Sequence, residues 1–195
     1  MNQLGVRAAA AGLTVRATAA WPESTVDDAP PALPGFVVSS FSPLVAEAAE
    51  RCLRKRYGAP PGDSATAVIL VSPLGDVTSA VHVAHAVDSG GRVGPLLFFQ
   101  SVPNAVAGYI AARWGLTGPV VCVASAEAGM DVATALIEDG DAEEALVVLA
   151  EQAGTAGERD SASAVLVGTR VEGLNSTARG DVDSTEGVFG RVGTT

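Results

Sequence analysis

Residues 101–131 read SVPNAVAGYIAARWGLTGPVVCVASAEAGMD, and the rest of the chain is read outward from them. The pattern predicts a helix over Val102–Trp114, a break at Gly118-Pro119 and an apolar strand over Val120–Ala124. A turn of small residues then opens a second helix, Gly129–Glu138. Several enzyme folds use a strand that passes through a sharp turn into a helix to aim a reactive side chain into a pocket. The residue at this turn is Glu127, flanked by Ala126, Ala128 and Gly129. A carboxylate cannot take an acyl group as a thiol does, so the turn reads as a nucleophile site without its nucleophile.

The flanking sequence predicts an α/β domain. Ser42 as N-cap and Pro43 in the first turn open a helix over Leu44–Tyr57, with Leu44, Ala48, Ala49, Cys52 and Leu53 on one face. Thr66–Val71 is a continuous apolar run, expected as a strand covered on both faces. Asp76 caps a helix reaching Val87, ended by Ser89-Gly90-Gly91, and Leu96–Phe99 is a short apolar segment. Ala145–Ala150 and Ala162–Val167 are two strands in a hairpin. Leu4–Ala19 is expected as two short strands meeting near Gly12, an edge hairpin or a bent strand, followed by an acidic, Pro-rich loop over Trp21–Pro34. Alternating strands and helices closed by a hairpin imply a mixed, mostly parallel sheet with layered helices. The globular part is expected over 1–171, with a flexible polar tail over 172–195.

Composition narrows the function classes. Hydrophobic residues at 48% with aromatics at 5% mean a core of Ala, Val, Leu and Ile. A net charge of −10 argues against nucleic acid, which requires a basic stripe. Cys52 and Cys122 are too few and too distant for a disulfide framework or a metal site, and both are expected as reduced, buried packing residues. The first residues, broken by Arg7, Gly12, Arg16 and Pro22, lack the pattern of a signal peptide. No apolar run approaches the roughly 20 residues of a membrane span, so a cytoplasmic location is expected. No cofactor or metal is implied.

The quoted stretch resembles the β-ketoacyl synthases of fatty-acid and polyketide assembly. The likeness lies in Ser101-Val102-Pro103-Asn104-Ala105, Ala107-Gly108-Tyr109-Ile110-Ala111 and Gly115-Leu116-Thr117-Gly118-Pro119 before the strand. It extends through Ala133–Ile137 and Ala145–Glu151, and back to Ser39–Pro43. Aligned on Gly118-Pro119 without gaps, Ser125-Ala126-Glu127 falls where the family has Thr-Ala-Cys, the Cys that takes the acyl chain. A condensing enzyme of this family also draws two His from a second half of a duplicated thiolase-like fold. The 195 residues match one half, and His82 and His85 precede the nucleophile turn, where the family keeps no catalytic His. The resemblance therefore implies a chain-length-factor-like subunit. It would pair as a heterodimer with a full-length ketosynthase, through which an acyl carrier protein acts; a homodimer is the other arrangement it allows.

Glu127 keeps three readings: a plug held by helix N-terminal amides, a buried general acid/base, or a solvated turn residue. The second would make the chain a small acyl-thioester isomerase, dehydratase or cyclase. His82 and His85 share a helix face, as a metal pair or as core or interface residues, the latter favoured because only Asp88 stands at ligand spacing. By resemblance, Val81, His82, His85, Asn104 and Gly129 are candidates for lining or gating the partner's acyl tunnel, Val81 and His82 as the gate. Asn104 is explained by capping and Gly129 by close helix packing. Val120, Val121, Cys122, Val123 and Ala124 form the strand that the family pairs across its dimer.

Overall fold

The computed structural model describes residues 2–153 and 158–169; the expected tail over 172–195 lies outside them. The chain order is α1 (Gln3–Ala10), β1 (Thr14–Trp21), α2 (Phe41–Tyr57), β2 (Thr66–Val71), α3 (Val77–Asp88), α4 (Pro95–Gln100), α5 (Pro103–Trp114), β3 (Val120–Val123), α6 (Ala126–Glu138), β4 (Glu144–Glu151) and β5 (Ser161–Gly168). The strands form one sheet in the order β1-β5-β4-β2-β3. β2 runs parallel to both β3 and β4, while β5 is antiparallel to β4 and β1. The sheet is mixed, and β5 alone runs against the other strands.

Both faces of the sheet are covered. On one side Leu44, Ala48, Ala49, Cys52 and Leu53 of α2 join Val106, Ile110 and Trp114 of α5 over Val68, Leu70, Leu146, Val148 and Leu166. The other side carries Leu4 and Ala8 of α1 with Met130, Ala133 and Ile137 of α6 over Ile69, Val147, Val165 and Val167. Alternate residues of each central strand feed the two cores, which is why β2 is buried at every position. Beyond Asp76 the connection carrying α3 and α4 leaves these layers. Val81, Val87, Leu96, Phe98, Phe99 and Val102 are all exposed there, as is Leu74 just before it.

Residues 3–10 form a helix, not the first of two expected strands. The Asn2 side chain caps it, accepting from the Gly5 amide and donating to the carbonyls of Ala19 and Ala164. Leu4 and Ala8, four apart, supply the buried stripe, and Gly12 at φ +79° turns the chain into β1. The N-cap position of α2 falls two residues before the expected one. Ser42 and Pro43 are buried in its first turn, Ser40 stands at the N-cap position, and the Phe41 amide donates to the Ser39 hydroxyl. The loop after β1 is fastened to α2 by Arg51, which donates to both carboxylate oxygens of Asp27 at 2.9 Å and holds that carboxyl well below the usual range.

Gly118 at the head of β3 lies against the start of β2. A side chain could not be accommodated there, since a Cβ would stand 2.6 Å from the Ala67 amide nitrogen. β3 is an edge strand, and Cys122 is exposed rather than buried as expected. An apolar run of four residues has the same appearance at the edge of a sheet as in its middle.

Candidate functional site

The turn between β3 and α6 is built by Ser125. Its backbone is extended, and its hydroxyl accepts from the Ala128 amide at 3.2 Å, which starts the helix three residues earlier than the apolar period suggests. Glu127 follows in the first turn of α6, where the amide ends favour a negative charge. Its side chain is exposed, and among the described residues it has no hydrogen-bond or ion-pair partner. The burial required by the plug and by the acid/base is therefore absent in the single chain; the geometry is that of a solvated turn residue. Gly129, two residues further along, is buried, and a Cβ there would meet Val71 Cγ2 at 2.8 Å and Val147 Cγ1 at 3.4 Å. Its lack of a side chain lets α6 lie close on the sheet.

The histidines sit elsewhere, on α3. Val81, His82 and His85 are exposed, and no cluster of His, Cys, Asp and Glu able to hold a metal occurs among the described residues. Asn104 lies exposed in the first turn of α5. Val102 occupies the N-cap position without a side-chain cap, so Asn104 does not perform the expected capping. Pro103 at the helix start needs no such partner, because its missing N–H is one of the groups a helix leaves unbonded.

Among the described residues β3 has β2 on one side and an open edge on the other. Val68 and Ser72 donate to the carbonyls of Pro119 and Val123. The alternation of the strand then turns the N–H and C=O of Val120 and Cys122 outward. Next in chain order before α5 stands a crevice of about 670 Å³ between α3 and α4, lined by Ala80, Val83, Phe98, Pro95 and Pro103 and bounded at one end by Asp76. Asp76 is buried and accepts three hydrogen bonds, from Ser39 Oγ, Ser79 N and Ser79 Oγ. Sequence reasoning found Asp76 as a cap and missed Ser39 and Gln152, which also hold this end of α3; no motif marks either of them.

A second polar cluster lies at the opposite end of the strands. The Tyr57 hydroxyl donates to Glu144, and Arg56 pairs with the same carboxylate at 3.0 Å. Burial, and then Glu144, push the Tyr57 pKa up. Glu144 and Thr66 begin β4 and β2, so this network ties the end of α2 to the sheet and is remote from the β3–α6 turn.

The family model of the beta-ketoacyl synthase N-terminal domain matches residues 16–156. The chain belongs to this family. Its structure resembles a chain of the complex of the ketosynthase ApeO with its chain length factor ApeC from Xenorhabdus doucetiae, with a TM-score of 0.62 and 17% identity. That match covers 81% of this chain and 79% of the other. The ishigamide ketosynthase/chain length factor gives a TM-score of 0.61 at 21% identity, over 76% of this chain and 49% of that one. A β-ketoacyl synthase from Burkholderia phymatum gives 0.54 at 19% identity, over 66% and 42%. At these identities the likeness is one of fold: the five-stranded mixed sheet and its helices are those of the thiolase-like ketosynthases. The chain spans about half the length of the ishigamide and Burkholderia chains. No curated protein sequence matches it.

Proposed function

We propose that the chain is a non-condensing ketosynthase homologue that acts as a chain-length-factor-like subunit in type II polyketide or fatty-acid biosynthesis. It pairs with a full-length ketosynthase and shapes the floor of that enzyme's acyl tunnel. The observation that carries this reading is the open edge of β3 together with the apolar exposure of the α3–α4 connection. Unpaired edge strands and contiguous exposed apolar side chains are what soluble chains cover with a partner. Glu127, where the family's alignment puts its Cys, supplies no nucleophile for acyl transfer. Two of the similar structures are described as ketosynthases with a chain length factor, and a third as a type II acyl carrier protein in complex with its ketosynthase. These descriptions support the reading by likeness of fold.

In this role the mechanism is steric. β3 adds to the partner's sheet, and α3 brings Val81 and His82 to the tunnel, where their bulk limits the number of elongations. The partner supplies the condensing Cys and His and receives the carrier protein. The test is co-purification with a full-length ketosynthase, then mass spectrometry of products made with and without this chain. A stoichiometric complex and a changed length distribution are expected. Failure to form the complex, or identical products in both cases, overturns the reading.

A further inference from the structure

α3 has few side chains fixing it along its length. Ser79, in its first turn, is the helix's buried residue, while Val81 and Val87 are 49% and 62% exposed. The crevice of about 670 Å³ separates its Ala80 and Val83 from Phe98 of α4 and Pro103 of α5. A helix ordinarily takes its stability and direction from an apolar face packed along several turns. This one is held at its root.

The root is tied to two separate parts of the chain. Asp76 Oδ1 accepts from the Ser79 amide at 3.0 Å and from the Ser39 hydroxyl at 2.6 Å, and Oδ2 accepts from the Ser79 hydroxyl at 2.7 Å. Gln152, just after β4, accepts from the Val77 amide at 2.8 Å and donates to Thr78 Oγ1 at 3.0 Å. Capping alone would need only the bond from the Ser79 amide. The bonds to Ser39 and Gln152 reach 37 residues back and 75 forward, to the loop before α2 and to the end of β4. Bonds to an ionised acceptor are roughly twice as strong as neutral ones, which makes Asp76 the firmer of the two anchors.

We propose that Asp76 and Gln152 are positioning residues that set the direction in which α3 leaves the sheet, and through it the placement of Val81 and His82. The consequence for product length rests on the tunnel-shaping role proposed above; the clamp itself does not. Removing Gln152 leaves the cap intact and frees one side of the root.

Amide hydrogen exchange of the full chain reads the clamp directly. Gln152→Ala is expected to speed exchange over residues 80–88 about fivefold to tenfold while α2, α5 and α6 keep their rates. Gln152→Glu, which keeps the acceptor for the Val77 amide, restores slow exchange in part. In the complex with the ketosynthase, Gln152→Ala broadens the product lengths, and Val81→Phe serves as the control for the gate. Unchanged exchange over α3 overturns the proposal. Faster exchange with product lengths that respond to Val81→Phe but not to Gln152→Ala overturns the claim that the clamp places the gate. If neither variant alters product length while α3 exchange rises, the tunnel-shaping reading fails and the clamp stands. Should Ser39→Ala, the companion variant at Asp76, accelerate exchange everywhere, Gln152→Ala alone decides, because its side chain lies outside both cores.

Discussion

Gly118 and Ala67 bring their backbones so close that a Cβ on the glycine would stand 2.6 Å from the Ala67 amide nitrogen, and equally near the Thr66 carbonyl carbon. These are main-chain atoms of a buried strand and cannot swing aside. The contact fixes where β3 starts along β2, and hence which backbone groups face the open edge.

Gly118→Ala should therefore destabilise the chain by about 2 kcal/mol or more, at the upper end of overpacking effects. Urea unfolding followed by circular dichroism checks this. A loss below about 0.5 kcal/mol would mean that β3 can shift at its head without harm.

Glu127→Gln should change little. The side chain is exposed, so only its interaction with the helix N-terminus is lost, no more than about 1 kcal/mol. Product yield and length in the complex stay as they were. A fall in rate of ~10²-fold with the complex intact would instead assign Glu127 to proton transfer.

Val81→Phe should shorten the products and His82→Ala should lengthen them. Each CH₂ held in an apolar tunnel contributes ~0.8 kcal/mol, so room for one two-carbon unit changes the preference by ~1.6 kcal/mol, about tenfold. Mass spectrometry of the product mixture reads such a change directly.

Cys122→Pro should block pairing through β3 while sparing the ladder to β2. The lost N–H is one that faces outward, and proline is tolerated on edge strands. Sedimentation of the variant mixed with the ketosynthase is expected to show separate species, with the circular dichroism spectrum unchanged. A complex of wild-type affinity would remove β3 from the interface.

The two thiols should differ sharply. Burial pushes the Cys52 pKa up to about 12, so at pH 8 only ~10⁻⁴ of it is the reactive thiolate. Cys122 is also raised by partial burial, yet its side chain is exposed. A thiol reagent should modify one cysteine in the native chain and both after denaturation. Binding a partner along β3 should then protect Cys122.

Much of this architecture was legible because its signals are local. The five small and apolar residues expected on one face of α2 are all fully buried, and the uninterrupted run at 66–71 is a strand covered on both sides. Less legible was whatever depends on the third dimension. Residues 4–10 carry Leu, Val and Ala in an order that suits strand or helix, and the choice is made by Asn2 reaching Ala19 and Ala164. The quoted stretch revealed the β3–α6 turn, and the family likeness put its strand at a dimer edge, but the apolar run by itself gave no sign that Cys122 is exposed. Both sheet faces are filled, and most of the exposed large apolar side chains lie on or beside the α3–α4 connection. Gln152 was invisible, since a polar residue after a strand gives no hint of a partner 75 residues away.

The placement of β1 beside β5 also bears on how the chain is made. Ala17 faces Leu166, so the first strand synthesised finds its neighbour only when nearly the last described residues have been added. At 5–20 residues per second, translation leaves β1 unpaired for roughly 7–30 s. During that interval α1 also lacks the Ala164 carbonyl to which Asn2 donates. Slower, cooler expression lengthens this exposure while weakening hydrophobic association, and a chaperone that holds the N-terminal segment serves the nascent chain best. The sheet is thus completed only after its last strand has been made.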